Sequence, residues 1–145
     1  MESYSIFIVS APGGHGFVAD QIADRLKLPS LRINTNLREK WYKVEETNNI
    51  SIVESNRDFN LFLQLIIAFI LVTKYKPKFI ISTGAGVAIP FFIVGRILGK
   101  RLYYIESQTH FLKLSLTGKI VKYLADSVIV RSRLMKSKGK VLNLR

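Results

Sequence analysis

A parallel β-sheet covered by helices on both faces is the fold this sequence predicts, and three observations predict it. Short apolar, β-branched runs recur along the chain with helical segments between them, as buried parallel strands and their crossovers do. Two of these runs lead into glycine-rich turns, Gly13-Gly14-His15-Gly16 and Ser82-Thr83-Gly84-Ala85-Gly86. The 145 residues suit one domain that buries about 70% of its unfolded surface. Residues 1–145 are therefore expected to form a single Rossmann-like α/β domain.

Tyr4–Ser10 (YSIFIVS) reads as a buried strand, and the first glycine turn follows it. Phe17–Leu28 then has apolar residues at 18, 19, 22, 23 and 26, which is helical spacing. Leu31–Asn34 is a second strand, Thr35–Thr47 is polar and irregular, and Ile50–Glu54 alternates like a strand. Asp58 is placed to cap the apolar helix Phe59–Thr73, and Pro77 closes that segment. The 15 residues of Phe59–Thr73 would span about 22 Å as a helix, short of the roughly 30 Å of a hydrocarbon core. This helix reads as core or interfacial rather than membrane-spanning.

Lys78–Ser82 is another buried strand, and it enters the second glycine turn. Pro90 fits a first helical turn, the helix continues through Phe91–Leu98, and Gly99 stops it. Phe91 to Val94 beside Arg96, Lys100 and Arg101 suit either an interfacial helix or one packed on the sheet. Arg101–Ile105 is a strand ending at Glu106-Ser107, Ser115 is placed to cap a helix over Leu116–Leu124, and Ser127–Val130 and Val141–Leu144 complete the strands.

Composition removes several function classes. There is no cysteine, so disulfides, thiolate metal sites and thiol catalysis are excluded, and a reducing compartment is implied. The net charge is +12. Residues 1–73 hold seven Lys/Arg against eight Asp/Glu, whereas residues 74–145 hold fifteen against Glu106 and Asp126 alone. Such a basic half suits a polyanionic neighbour: anionic lipid, nucleic acid or an acidic subunit. The N-terminus enters its first apolar run without a basic region or cleavage site, so no targeting segment is expected and the chain reads as cytoplasmic.

Open α/β sheets bind ligands beyond the carboxyl ends of their strands. Gly13, Gly14 and Gly16 let the backbone approach a phosphate closely, and the helix start supplies free N–H groups. Gly14-His15-Gly16-Phe17-Val18-Ala19 formally matches G-x-G-x-x-A. The second strand, however, ends at Asn34, where an acid would bind the ribose of a dinucleotide, so no nicotinamide or flavin cofactor is expected. Gly118-Lys119 precedes Ile120, which excludes a P-loop. Only His15 and His110 are histidines, so a metal site is not expected, and no G-x-S-x-G elbow is present. Thr83, Gly84 and Gly86 would line a second wall, with Glu106 and Ser107 in a third loop. His15 suits phosphate binding or general-base work, and Glu106 suits either an ion pair or the site.

The G-G-H turn, then IISTGAGVAIP, then YYIESQTH and LSLTGKIVKYLADSVIV, together resemble the asparagine-linked glycosylation protein 14 family over nearly the whole chain. The resemblance implies the amino-terminal, acceptor-side half of a GT-B glycosyltransferase. Its donor-side partner would be a separate chain similar to asparagine-linked glycosylation protein 13, binding UDP-N-acetylglucosamine. The acceptor would be a polyprenyl-diphosphate-linked sugar at the cytoplasmic face of an anionic membrane, and the protein would be peripheral to that membrane. Gly13, Gly14 and Gly16 would then contact the acceptor diphosphate, with Thr83, Gly84, Gly86 and Ser107 beside it. His15 or Glu106 would take the proton of the attacking hydroxyl. Two other readings remain open on the residues: a non-catalytic membrane adaptor for a complete transferase, and a nucleic-acid-binding domain. The latter lacks any nucleic-acid motif.

Overall fold

Strands of three to seven residues arise mostly from the apolar and β-branched runs, and most of the longer segments between them cross over as helices. The computed structural model describes residues 4–45, 48–54, 59–106, 114–130 and 141–143. In chain order they form β1 (Ile6–Ser10), α1 (Gly14–Leu26), β2 (Ser30–Asn36), β3 (Tyr42–Glu45), β4 (Asn49–Val53) and α2 (Phe59–Tyr75). β5 (Phe79–Ser82), α3 (Ala88–Ile97), β6 (Arg101–Ile105), α4 (Leu116–Val121), β7 (Ser127–Val130) and β8 (Val141–Asn143) follow. One eight-stranded sheet has the order β3-β4-β2-β1-β5-β6-β7-β8. Every pair is parallel except β3 with β4.

The sheet has two different faces. Phe7, Val9, Ile33, Ile80, Leu102 and Tyr104 point to the side that carries α2, α3 and α4, and they form the main core. Ile6 and Ile8 point the other way and pack with Ala19 of α1 and with Phe79 and Ile81. Strand alternation divides these two sets. At Gly95 α3 lies close to the sheet, because a Cβ there would meet Leu102 Cδ2 at 2.7 Å and Ile80 Cδ1 at 2.8 Å.

Several sequence expectations need correction. α1 begins at Gly14 rather than Phe17 and ends at Leu26, so most of the first glycine turn is helix. Of its predicted apolar face only Ala19 is fully buried. The stretch read as irregular contains the end of β2 and the antiparallel edge strand β3. The backbone of β3 is held by β4, and Glu45 accepts from Asn49 Nδ2 at 3.0 Å and Ser51 Oγ at 2.7 Å. Phe91, Phe92 and Val94 are buried, so α3 packs on the sheet through that side. α4 stops at Val121. Asp58 and Leu144 lie outside the described residues.

α2 resolves its own ambiguity by dividing. Gln64, Ile67, Ala68, Leu71 and Val72 are buried. Phe59, Phe62, Ile66 and Phe69 are exposed by 73, 57, 37 and 53% and recur at helical spacing on the outer side. Among the described residues no helix is long and apolar enough to cross a membrane.

Candidate functional site

The strand order reverses between β1 and β5. From β1 the chain builds outward to β2 and β4, and from β5 it builds the other way through β6 and β7 to β8. The helix after β1 lies on one side of the sheet and the helix after β5 on the other. Such a reversal opens a crevice at the carboxyl ends of the strands, the usual ligand position in open α/β sheets. Both glycine turns leave at this crevice.

The first turn is set by Gly13, whose φ of 85° and ψ of −140° favour glycine. α1 follows with no side-chain cap and no acid in its first turn. The amide of Phe17 is bonded to the Gly13 carbonyl at 3.0 Å. The earlier first-turn N–H groups lie outside the helical ladder and carry the positive end of the helix dipole. A Cβ at Gly14 or Gly86 would meet nothing within 4 Å, so at these two positions packing does not require glycine and space beside the backbone is open.

The second turn meets the first. His15 Nδ1 lies 2.8 Å from the Thr83 carbonyl oxygen. Thr83 Oγ1 donates back to the His15 carbonyl at 2.7 Å. Thr83 is buried, and Gly84 has a φ of 126°. A Cβ on Gly84 would stand 2.5 Å from His15 Nδ1 and 2.6 Å from Cε1. The Gly84 amide is further tied to Ser82 Oγ at 3.3 Å. Gly13, Gly14, His15, Gly16, Thr83, Gly84 and Gly86 therefore border one crevice.

Glu106 follows β6, the strand beside β5. It is 5% exposed at the end of β6 and turns toward α4. Its Oε2 accepts from the Ser115 amide at 2.9 Å and from Ser115 Oγ at 3.0 Å. Ser115 Oγ in turn accepts from the Gly118 amide at 3.0 Å and lies 3.3 Å from Tyr104 Oη. Burial pushes the Tyr104 phenol well above its ordinary range, Ser115 opposes that, and the Glu106 charge adds to it. Glu106 thus belongs to the helix-bearing side that holds α4, while His15 enters from α1 on the other side. Ser107 lies outside the described residues.

Sequence reasoning passed over Arg32. Its Nη2 donates to the Gly16 carbonyl at 3.3 Å and pairs with Asp20 Oδ1 at 2.9 Å. Burial lowers the Arg32 pKa and the Asp20 carboxylate raises it. Arg32 therefore anchors the first turn of α1 to β2. The available signal was an arginine inside the strand pattern Leu31-Arg32-Ile33-Asn34. Asn34 is taken up internally: it accepts from Ser10 Oγ at 2.8 Å and donates to Asn49 Oδ1 at 3.0 Å.

Away from the crevice, an apolar groove of about 700 Å³ runs between α3 and α4, lined by Ile93, Ile120, Tyr123 and Leu124 with Lys119 and Lys122 at its edge. Lys122 Nζ stands 4.9 Å from the Tyr123 ring centre.

A family model described as "Oligosaccharide biosynthesis protein Alg14 like" matches residues 23–143. The human protein named UDP-N-acetylglucosamine transferase subunit ALG14 is 25% identical over 171 aligned positions, covering 94% of this chain and 79% of that protein. Its mouse counterpart of the same name is 33% identical over 86 positions, covering 55% of this chain and 40% of that one. Among solved structures, Acinetobacter baumannii MurG matches with a TM-score of 0.75 at 15% identity, over 95% of this chain and 45% of its own. The UDP-GlcNAc 2-epimerase of Methanocaldococcus jannaschii, in complex with UDP-GlcNAc and UDP, matches with a TM-score of 0.73 at 10% identity, over 95% and 45%. The chain spans less than half the length of these two solved chains. At these identities the likeness shows the Rossmann-like fold.

Proposed function

Because the chain belongs to the family of oligosaccharide biosynthesis proteins like Alg14, we propose that it is one subunit of a two-chain glycosyltransferase. It is the acceptor-side half, and a second chain similar to asparagine-linked glycosylation protein 13 binds the donor, UDP-N-acetylglucosamine. The acceptor is a sugar linked through a diphosphate to a polyprenyl carrier. The relatives named as transferase subunits support this reading. So does the match to less than half of each solved chain. The observation that carries it is the crevice between β1 and β5, where His15 and Thr83 join two glycine-rich turns.

In this reading the first-turn amides of α1 face the acceptor diphosphate, because free N–H groups and the dipole favour anions there. The open space at Gly14 and Gly86 admits a ligand against bare backbone. His15 takes the proton from the attacking hydroxyl. Glu106, engaged by Ser115 on the other side of the sheet, positions α4 and is not the base. The exposed phenylalanines of α2 and the groove beside α4 rest on the cytoplasmic face of an anionic membrane, where apolar side chains insert and lysines meet lipid phosphates.

The test is a sugar-transfer assay with UDP-N-acetylglucosamine and host membranes, with and without the candidate donor-domain chain. Transfer to lipid is expected only when both chains are present. Transfer by this chain alone would overturn the half-enzyme reading. His15→Ala is expected to lower turnover about 10²–10⁴-fold while the two chains still co-purify. Full turnover by that variant removes His15 from the chemistry.

A further inference from the structure

We propose that Thr83 and Gly84 are positioning residues that set the tautomer of His15, so that Nε2 is the atom presented to the crevice. The proposal rests on the reading of His15 as the base, but its geometry stands apart from that reading. A carbonyl oxygen can only accept a hydrogen bond. The 2.8 Å contact between His15 Nδ1 and the Thr83 carbonyl therefore requires the proton on Nδ1. In the neutral ring Nε2 is then a bare lone pair, able to take a proton and unable to donate one.

This separates two roles that the sequence leaves open. A neutral histidine with its proton on Nε2 would donate to a phosphate oxygen. With the proton held on Nδ1, the neutral ring accepts from a hydroxyl instead. The ligand group matched to His15 is thus an alcohol of the acceptor sugar, and its diphosphate is left to the backbone amides of the first turn of α1. The proton passes from the hydroxyl oxygen to Nε2 as that oxygen bonds to the donor sugar carbon. The bond from that carbon to the donor's diphosphate breaks, and UDP leaves with the electron pair. The ring becomes an imidazolium whose Nδ1–H still faces the Thr83 carbonyl, which favours the charged form as it appears.

Three features hold the ring in this state. Thr83 Oγ1 ties the His15 carbonyl at 2.7 Å, fixing the backbone that carries the ring. Thr83 is 2% exposed, so water competes poorly for its carbonyl. Gly84 leaves the space in which the imidazole lies at this distance, because any Cβ would stand 2.5 Å from Nδ1. Its φ of 126° further excludes other residues.

The experiment is a two-bond proton–nitrogen NMR correlation on the full chain labelled with ¹⁵N-histidine, assigned with His15→Asn. It is recorded well above the ordinary histidine range of about 6.5. A protonated Nδ1 and bare Nε2 on His15 are expected; the opposite tautomer overturns the proposal. Gly84→Ala is expected to abolish this tautomer preference and to lower transfer about 10–100-fold, as loss of an orienting partner does, with donor KM unchanged. Unchanged tautomer and unchanged transfer in that variant overturn the role of Gly84. If Gly84→Ala fails to fold, Thr83→Val and Thr83→Ser replace it: Val is expected to lower kcat about tenfold or more and Ser to restore it. Equal kcat for Val and wild type overturns the role of Thr83. An Nδ1–H tautomer together with full transfer by His15→Ala upholds the positioning and removes only the base reading.

Discussion

Glu106 Oε2 accepts from both the amide and the hydroxyl of Ser115, and the same hydroxyl accepts from the Gly118 amide. One carboxylate oxygen therefore satisfies the start of a six-residue helix that is too short to stabilise itself. The cluster leaves no room at Gly118, where a Cβ would run into Glu106 Oε2 and approach Tyr104 Cε1 at 3.3 Å. Gly118→Ala is expected to destabilise the fold by about 1–3 kcal/mol, the usual cost of overpacking, despite alanine's better helix propensity. Thermal unfolding reads this directly. Glu106→Gln keeps an acceptor oxygen and is expected to retain transfer within about threefold, since a positioning role survives the loss of charge. Loss of turnover without loss of stability in Glu106→Gln would return the base role to Glu106.

Helix α2 serves two environments at once. Its inner side joins the core through Ile67, Ala68, Leu71 and Val72. The outer side leaves Phe59, Phe62 and Phe69 more than half exposed. Transfer of a phenylalanine side chain out of water is worth about 1.5–3 kcal/mol. Replacing Phe62 and Phe69 together by glutamate is thus expected to weaken binding to anionic vesicles more than about a hundredfold. Circular dichroism should remain native, because neither ring is buried. Flotation of the double variant at wild-type levels would show that α2 is not the membrane face.

Across the whole molecule the cations are concentrated in the second half, with seventeen Lys, Arg, Asp and Glu in residues 74–145, of which fifteen are basic. Lys119 and Lys122 border the groove beside α4, and α4 shares with α2 the core on one side of the sheet. Each basic residue near an anionic surface contributes about 1 kcal/mol, within a screening length of about 8–10 Å at physiological salt. Vesicle binding is expected to fall steeply between low and high salt and to be weak on zwitterionic lipid at any salt. Salt-sensitive binding to DNA with none to anionic vesicles would favour the nucleic-acid reading instead.

Much of this architecture was legible beforehand, because buried parallel strands must be apolar along their length. β1, β5, β6 and β7 all appear as such runs. The edge strand β3 was hidden: Val44 is 56% exposed, and its hydrogen bonds come from a neighbour rather than from its own pattern. The early start of α1 was hidden too, since glycine is a poor helix former. Arg32 on the Gly16 carbonyl and Thr83 on the His15 carbonyl tie that first turn in place. The sequence alone determined the fold class and the family, and it marked the two glycine-rich turns that follow β1 and β5. Only the tertiary structure decided that His15 and Thr83, 68 residues apart, share a hydrogen bond while Glu106 faces α4. The reason is that parallel crossovers make β1 and β5 neighbours across the whole span between them, and strand alternation sends adjacent side chains to opposite faces.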